Sequence, residues 1–491
     1  MSNANLIFCG YPEAYVFDTP SDGKKIKHLF WGDTLELRKG EKTNGFLPVY
    51  SRDVNGWIRE SDTQKEQILD IIFLDVGQGD SIIIVTPNDY KILIDAGKSD
   101  NLYRYLKWRY KNLNDKTVET NVEGKIKTII LTHYDADHYE GLSKLIQENL
   151  FFECFKPEAI YHSGLFFTMS PKKTPQAKSE EVMRKAVRVD GGDYFDNIIS
   201  TKAEFLAFVK KTPADQLTPY IKLLSNIINN PKGSDINLRM LYADSAEFRK
   251  QFPVTDGFSV NALSPILVDK QGKAYLTKFD GKIGIQKNGH SVMLKIQYKN
   301  VAILLPGDIN EQSEQFLLNH YQGQAGTFLS DVYKVAHHGS SNVSDDFVKE
   351  IRPYAYVISS GDNEQYTHPR PDTIGLLGKV GRGDRPLVFC TELARSTAEY
   401  VKTPAGIKKE IKDAEAALKA AKKKDEKEAL KKKIEELQKK ANRSVSVYGA
   451  INLRTDGQRI LFSQKYEKKA NGKEWDIYRL EPGPAGFTFV K

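Results

Sequence analysis

Short apolar runs rich in isoleucine recur in the first third of the chain, and each ends at a glycine, a turn or a polar residue. They cover residues 68–74, 81–85, 91–94 and 125–131. Uninterrupted runs of this length are typical of strands buried on both faces of a sheet. Residues 139–150, which follow the last run after seven further residues, are compatible with a helix. We therefore expect an α/β fold built on buried strands.

Similar strands return later in the chain. They lie at residues 291–296, 301–305, 332–335 and 355–358. The stretch from about 145 to 285 is more polar and irregular, with helical patterns at 203–210 and 218–229. We interpret it as a partly helical insertion that serves either substrate selection or structural elaboration, and we expect the fold to be split around it.

Composition limits where the protein works and how it binds metal. No apolar run reaches the about 18 residues of a membrane span, and residues 1–10 lack the basic start of a secretory signal, so we expect a cytoplasmic protein that does not bind membranes. The three cysteines, Cys9, Cys154 and Cys390, have no CxxC spacing. Any metal should therefore be held by histidine and carboxylate side chains. The net charge of +8 permits a polyanionic partner, although lysines in residues 408–440 supply much of it.

Residues 1–63 consist of short alternating segments and turns. The order of Tyr15-Val16, Trp31-Gly32-Asp33 and Gly56-Trp57-Ile58 resembles bacterial SH3-like domains. That resemblance implies a binding module and not a catalytic one. The alternative is a β extension of the main domain.

The C-terminal part changes character twice. Residues 407–441 contain neither glycine nor proline, and their apolar residues keep a heptad spacing whose register breaks at 422–428. This pattern favours an antiparallel helical hairpin over residues 404–443. The hairpin either binds a protein partner or a second copy of the chain, or it rests on the main domain. Residues 444–491 alternate again, so we expect a β segment that packs on the main domain.

One short segment concentrates metal-binding side chains. Directly after the apolar run that ends at residue 131, the sequence Thr-His-Tyr-Asp-Ala-Asp-His places His133, Asp135, Asp137 and His138 in one loop. Imidazole and carboxylate groups bind first-row divalent ions. A single loop that supplies ligands to two cations can set their separation near the roughly 3.5 to 4 Å used in two-metal hydrolysis.

Other acidic and imidazole residues follow later strands. Asp308 ends the sequence Leu-Leu-Pro-Gly-Asp, His337 and His338 lie in Lys-Val-Ala-His-His-Gly-Ser, and His368 lies in Tyr-Thr-His-Pro. Rigid sheets commonly present functional loops at strand ends. The sequence therefore predicts one site assembled from several strand ends.

These motifs, together with 73–81 (Phe-Leu-Asp-Val-Gly-Gln-Gly-Asp-Ser) and 93–97 (Leu-Ile-Asp-Ala-Gly), resemble the metallo-β-lactamase superfamily and, within it, the ComEC-like branch, named for the hydrolase domain of a DNA-uptake protein. They occur in the family's order between residues 68 and about 370. The resemblance implies an αββα sandwich over residues 66–403. It also implies two divalent metal ions, and the carboxylate at Asp135, where the commoner motif has histidine, makes manganese plausible beside zinc.

The resemblance further implies roles for individual residues. One cation would bind His133 and Asp135, the other Asp137 and His138, and Asp308 would bridge them, with His368 and either His337 or His338 completing the site. A water shared by the cations would be the nucleophile. The residues expected to take part in catalysis are Asp137, Asp308, His338 and Asp80. The residues expected to support the ligands or contact substrate are Asp95, Asn288, His290, Ser340 and Asn342.

The resemblance also implies a phosphodiester substrate, because the ComEC-like branch is similar to nucleases and phosphodiesterases, and nucleic acid is the first to consider. Five basic residues of the middle segment are candidates for a nucleic-acid track: Lys172, Lys173, Arg184, Lys185 and Arg188. Hydrolysis of a small phosphoester is the second enzymatic reading. A different class is an effector of a defence or regulatory complex whose hydrolase is gated by partners on the N-terminal module and the hairpin.

Overall fold

The computed structural model describes residues 5–51, 54–110, 125–172, 179–250, 252, 257–361, 367–391, 404–421, 423–443, 449–470, 472–484 and 486–490. The residues outside this description include Lys173, residues 362–366 shortly before His368, and residues 444–448. Among the helices that are described, none combines the length and the apolar character needed to cross a membrane.

The N-terminal part is an antiparallel sheet. Its strands are β1 (Leu6–Cys9), β2 (Glu13–Phe17), β3 (Lys25–Phe30), β4 (Thr34–Leu37), β5 (Phe46–Ser51), β6 (Val54–Arg59) and β7 (Thr63–Gln64), with a 3-10 turn at Glu60–Asp62. Their order is β3-β2-β6-β5-β4-β1-β7. Alternate residues such as Val16, Leu29 and Ile58 point into a small apolar core of its own. The predicted all-β N-terminal unit is confirmed, and its SH3-like character stays a prediction.

The apolar runs of the first third form strands as expected. The elements are β8 (Leu69–Phe73), β9 (Ile82–Val85), β10 (Lys91–Ile94), α1 (Asn101–Arg109), β11 (Thr128–Ile130), α2 (Ala136–Tyr139), α3 (Gly141–Gln147) and a π-helical turn at Phe151–Phe155. Every residue of the four strands is buried.

The middle segment contains both strands and helices. Its elements are β12 (Ala159–His162), β13 (Thr168–Met169), β14 (Glu181–Val182), β15 (Val187–Val189), β16 (Gly192–Phe195), α4 (Lys202–Lys211), α5 (Pro219–Asn229), β17 (Asn237–Met240), α6 (Ala246–Lys250), β18 (Phe258–Ser264), β19 (Val268–Lys270), β20 (Lys273–Thr277) and α7 (Ile283–Gly289). Short 3-10 turns lie at Ala214–Gln216 and Pro231–Gly233.

The rest of the chain completes the sheets and adds the hairpin. The elements are β21 (Met293–Tyr298), β22 (Val301–Leu305), α8 (Glu311–His320), β23 (Val332–Lys334), a 3-10 turn at Ala336–Gly339, α9 (Asp345–Ile351), β24 (Ala355–Ile358), α10 (Pro371–Val380), β25 (Leu387–Cys390), α11 (Pro404–Ala420), α12 (Lys424–Arg443), β26 (Ile451–Thr455), β27 (Ile460–Ala470), β28 (Lys473–Gly483) and β29 (Gly486–Val490).

Two sheets form the centre of the main body. One has ten strands in the order β17-β12-β11-β10-β9-β8-β26-β27-β28-β29, and the other has six in the order β18-β21-β22-β23-β24-β25. A shared apolar core lies between them and includes Ile71, Ile84 and Ile303. Helices α1, α3 and α5 cover the outer face of the first sheet, and α8, α9 and α10 cover that of the second. The predicted αββα sandwich is confirmed.

The segment expected to be an insertion, residues 145–285, also supplies strands to both main sheets. β12 and β17 extend the ten-stranded sheet beyond β11, and β18 is an edge of the six-stranded sheet. Their short sequences include polar residues, so the apolar-run pattern does not reveal them. The residues outside the main sheets are therefore divided into shorter stretches, in which β13–β16, β19 and β20 form two small sheets.

A buried arginine joins the N-terminal sheet to the C-terminal strands. Nη1 of Arg454, in β26, donates to the backbone oxygen of Trp31 at 2.6 Å and to Oδ1 of Asp33 at 3.0 Å. Its Nε lies 3.2 Å from Oδ1 of Asp70 in β8. Phe30 and Trp475 pack beside it in a joint apolar cluster. The N-terminal sheet is therefore packed directly on the ten-stranded sheet.

Candidate metal centre

Asp95 follows β10 and connects this strand to residues 132–138, which we call the metal-motif loop. β10 and β11 are parallel, with Ile94 opposite Ile130, so the residues after both strands emerge at one edge of the sheet. Asp95 has a φ of 55°, in the left-handed region that aspartate tolerates better than most residues. Its carboxylate accepts hydrogen bonds from the backbone N–H of Thr132 at 2.8 Å and from the Thr132 hydroxyl at 2.6 Å. The start of the loop is thereby fixed.

The same carboxylate orients His138. Asp95 Oδ2 is 2.7 Å from Nδ1 of His138, and both side chains are fully buried. A carboxylate on one ring nitrogen sets the tautomer that leaves the other nitrogen free to bind a metal. That other nitrogen, Nε2, lies 3.3 Å from Oδ2 of Asp308. Burial alone would lower the pKa of His138, but the charges of Asp308 and Asp95 raise it well above its usual value.

Asp308 and His338 approach from the second sheet. They follow the parallel strands β22 and β23, in which Ile303 lies opposite Val332. Nε2 of His338 is 3.0 Å from Oδ2 of Asp308 and 3.9 Å from Oδ2 of Asp137. Although burial alone would raise the pKa of Asp308, His338 and His138 hold it well below its usual range. The two sheets therefore present their ligands to one point.

The donor atoms of these side chains lie close together. Four groups have one donor atom per residue, all within 4.8 Å of one another: His133, His138 and Asp308; Asp137, His138 and His338; Asp80, Asp308 and His338; Asp80, Asp95 and His138. Within the described part of the chain, the buried Nε2 atoms of His133, His138 and His338 form no hydrogen bond of acceptable geometry. Buried polar atoms normally have a partner, and leaving one without costs free energy. These donors therefore fit divalent metal cations.

The neighbouring histidines lie at the edge of this cluster. The ring centroids of His337 and His368 are 5.6 Å apart, and His368 is 6.4 Å from His338. Nδ2 of Asn288 is 3.3 Å from Nε2 of His337. Burial lowers the pKa of His337 to about 4. The structure thus places His338, and not His337, next to Asp308, while Asn288 lies beside His337.

Asp135 lies on the open side of the cluster and contacts a lysine. Its Oδ2 is 3.7 Å from Nε2 of His133, and its Oδ1 accepts a hydrogen bond from Nζ of Lys287 at 2.9 Å. Lys287 also forms an ion pair with Glu181. Burial alone would raise the pKa of Asp135, but His133 and Lys287 lower it. Neither Lys287 nor Glu181 belongs to a sequence motif, so neither was expected in the site.

A second lysine is buried behind the cluster. Nζ of Lys334 forms an ion pair with Asp80 and lies 3.7 Å from Oδ1 of Asp308. Nδ1 of His338 is 3.5 Å from Oδ1 of Asp80 and 3.1 Å from the backbone oxygen of Ser359. Asp80 is therefore held between the ammonium group of Lys334 and the ring of His338. Lys334 stands in the motif quoted from the sequence, and its burial is the property that the sequence did not reveal.

His290 and residues 340–342 do not belong to the four donor groups. Nε2 of His290 is 2.9 Å from the backbone oxygen of Thr277, and burial lowers the pKa of His290 to about 4. Ser340 Oγ accepts a hydrogen bond from the backbone N–H of Asn342 at 3.2 Å, as in a turn. Ser341 donates to Asp372 at 2.9 Å. Their expected contacts with ligands or substrate stay predictions.

Two of the basic residues proposed for a nucleic-acid track already have protein partners. Arg184 donates to the backbone oxygen of Asn197 at 2.9 Å, and Arg188 pairs with Asp193 at 3.1 Å. An ion pair at an exposed surface contributes little free energy. Arg188 is exposed and its ion pair leaves it able to contact a polyanion, whereas Arg184 is half-buried and lies over the ring of Phe208.

Comparison with known proteins gives one family match and two curated relatives. Residues 74–151 match the model of the metallo-beta-lactamase superfamily. The chain is 23% identical over 318 residues to ComE operon protein 3 of Bacillus subtilis (strain 168), which covers 63% of this chain and 30% of that protein. It is 34% identical over 86 residues to competence protein ComA of Neisseria gonorrhoeae, which covers 17% of this chain and 12% of that protein. The chain thus spans less than a third of either relative.

Among solved structures, the chain is similar to Tm1679, described as a metal-dependent hydrolase of the beta-lactamase superfamily. The TM-score is 0.30 and the identity 11%, over 65% of this chain and 95% of that one. A similarity this low supports no conclusion. The family match includes the loop with His133 and His138, and it agrees with the αββα layers of the main body.

Proposed function

Starting from the family match over residues 74–151 and the αββα layers, we propose that the protein is a two-metal hydrolase that cleaves phosphodiesters. The observation that carries this proposal is the convergence of three buried Nε2 atoms, those of His133, His138 and His338, on the carboxylate of Asp308. Two of these nitrogens face Asp308 at 3.3 and 3.0 Å but form no hydrogen bond of acceptable geometry, and a divalent cation would give all three a partner.

The geometry suggests how the ligands divide. His133 and Asp135, whose donor atoms are 3.7 Å apart, would hold one cation, and Asp137, His138 and His338 would hold the other, with Asp308 shared by the two sets. Mixed imidazole and carboxylate ligands suit zinc or manganese. When bound, the two cations supply Lewis acidity, which lowers the pKa of a water molecule and neutralises charge on the attacked phosphoryl group.

The chain's own residues orient this centre and shield it. Asp95 holds the His138 tautomer, and Asp80 with Lys334 holds His338 from behind. The side chains of His138 and His338 are almost fully buried, whereas that of Asp137 is 18% exposed. Substrate therefore approaches from the side of Asp137 and Asp135, and Asp137 is the carboxylate placed to accept a proton from the attacking water.

The substrate class rests on two further observations. The curated relatives are named for competence or for the ComE operon, and the motifs resemble the branch named for a DNA-uptake protein. The net charge of +8 is compatible with a polyanion, although lysines of residues 408–440 supply much of it. Nucleic acid is therefore the first substrate to test, in a protein that we place in the cytoplasm.

The test is hydrolysis of bis(p-nitrophenyl) phosphate and of linear single- and double-stranded DNA in the presence of zinc or manganese. We expect cleavage by the native protein and its loss in Asp137→Ala with His138→Ala. The matched control is Asp215→Ala with His320→Ala, which changes two exposed residues of the same types and should retain activity. A native protein that carries metal but cleaves none of these substrates would refute the phosphodiesterase assignment.

A partner-gated effector is less well supported. The hairpin of α11 and α12 buries Ala414, Ala421, Ile434 and Leu437, and its two helices pack against each other. Its heptad seam is thus used at least in part within the hairpin. Deleting residues 407–441 tests the alternative, because a gated enzyme would change its activity or its oligomeric state.

A further inference from the structure

Lys287 connects Asp135 of the candidate metal centre to Glu181 of β14. It lies in α7, and its side chain is only 9% exposed. Its Nζ donates to Asp135 at 2.9 Å, forms an ion pair with Glu181 of β14 and lies 4.7 Å from the ring centroid of Tyr134. A lysine is rarely buried unless it is paired, and here two carboxylates and an aromatic ring hold one ammonium group.

The two oxygens of Asp135 have different partners. Oδ1 binds Lys287, while Oδ2 faces Nε2 of His133 at 3.7 Å. Asp135 is more exposed than His133, with a side chain that is 33% accessible against 1%. A partly exposed aspartate side chain samples several rotamers unless a neighbour holds it. Lys287 is the neighbour that keeps Oδ2 turned toward His133.

The charges around Asp135 leave it able to bind a cation. Lys287 and Glu181 form a pair with no net charge. The negative charge of Asp135 is therefore not cancelled, although one of its oxygens accepts a hydrogen bond from an ammonium group. Without Glu181, the positive charge of Lys287 would oppose a metal ion beside His133.

We propose that Lys287 is a positioning residue for the first metal site, formed by His133 and Asp135, and that Glu181 links this site to the middle segment. The proposal rests on the two-metal function proposed above. It gives residues 179–182 a specific role: by neutralising Lys287, β14 sets the affinity of the first site without contacting the metal. Residues that hold a metal-binding carboxylate commonly change metal affinity by about 10- to 100-fold when they are replaced.

Lys287→Met separates positioning from simple charge repulsion. If Lys287 acted only as a nearby positive charge, its removal would strengthen metal binding. If Lys287 positions Asp135, its removal lowers the metal affinity of the first site by about 10- to 100-fold. The affinity of the second site, formed by Asp137, His138 and His338, is then unchanged. Lys287→Arg keeps a donor and should restore part of the affinity, while Glu181→Gln should weaken the first site because the ammonium charge is then uncompensated.

The experiment measures Mn²⁺ or Zn²⁺ binding by titration, with the number of bound ions counted by native mass spectrometry. Lys282→Met and Glu180→Gln are matched controls, since both residues are exposed neighbours of the residues tested. Should Lys287→Met fail to fold, Glu181→Gln decides the question with the same predicted loss. A native protein that binds two ions while Lys287→Met or Glu181→Gln binds both as tightly overturns this inference alone. A native protein that binds no ion overturns the proposed function itself.

Discussion

Asp95 and His138 form a buried carboxylate–imidazole pair, with Oδ2 and Nδ1 2.7 Å apart. Because Asp95 also accepts two hydrogen bonds from Thr132, the pair joins the metal-motif loop to β10 through a single side chain. The contact leaves only Nε2 of His138 available to a cation. Metal binding should therefore depend on a residue that does not touch the metal.

Asp95→Asn should weaken metal binding by about 10- to 100-fold. Asparagine tolerates the positive φ of this position, but its amide group cannot accept the proton on Nδ1 of His138 and satisfy Thr132 as well. The measurement is metal affinity by calorimetric titration. Asp89→Asn is the control, because Asp89 also has a positive φ, of 59°, and lies in a turn between strands. Equal affinities in the two variants would show that the Asp95 contact does not orient a ligand.

Lys334→Met should destabilise the fold by about 3 to 5 kcal/mol, the usual cost of removing one partner of a buried ion pair. The loss arises because Asp80 would remain buried beside Asp308 without its cation. Combining Lys334→Met with Asp80→Asn should recover much of the loss, since no uncompensated charge remains. Urea unfolding of the metal-free proteins measures both. Additive losses in the double variant would contradict this account of the pair.

The motif residues could be predicted from the sequence, and the two lysines could not. Carboxylate and imidazole groups directly after apolar runs are unusual enough to identify strand ends that converge on one site. Lys334 ends β23, where a lysine is ordinarily exposed, and its burial depends on Asp80 from the loop between β8 and β9 of the other sheet. Lys287 and Glu181 lie in the short elements α7 and β14, and neither residue belongs to a sequence motif. Only the three-dimensional structure brings them to Asp135.

The order of the strands was also beyond the sequence. Residues 444–491 were expected to return to β structure, but nothing in their alternation indicates that β26 pairs with β8 in the middle of the ten-stranded sheet. Pairing of strands so distant in sequence depends on the packing of whole faces, including the buried side chain of Arg454. Strand existence was therefore predictable, and sheet order was not.

Arg454→Met should release the N-terminal sheet from the main body. Asp33 would lose its buried cation, while Asp70 would keep only its ion pair with Arg109. We expect a destabilisation of about 3 to 5 kcal/mol, mainly from the uncompensated charge of Asp33. Limited proteolysis should then cut between β7 and β8 before it attacks the main body. Arg188→Met is the control, because its pair with Asp193 is largely exposed and contributes at most about 1 kcal/mol. Equal proteolysis of the two variants would show that Arg454 does not hold the units together.

Glu314 should make stability fall as the pH rises. Burial raises the pKa of this carboxyl group in α8 from 4.5 to about 8. Between these values the folded protein binds more protons than the unfolded chain, so its contribution is fully present below pH 4.5 and is lost as the pH approaches 8. The expected slope is about 1.4 kcal/mol per pH unit at most.

Glu314→Gln removes this titration, so the variant should gain stability relative to the native protein as the pH increases from 5 to 8. Denaturant unfolding at several pH values measures the difference. Glu311→Gln, an exposed position in the first turn of the same helix, should show no such trend. A constant difference between Glu314→Gln and the native protein across this range would contradict the raised pKa.

The most direct test of the two-metal centre is a crystal structure of the manganese-loaded protein with anomalous diffraction measured at the manganese edge. The account predicts two anomalous peaks roughly 3.5 to 4 Å apart, one beside Nε2 of His133 and the other beside Nε2 of His138 and His338, with Asp308 between them. No peak among these residues, or manganese bound only at other side chains, would contradict it.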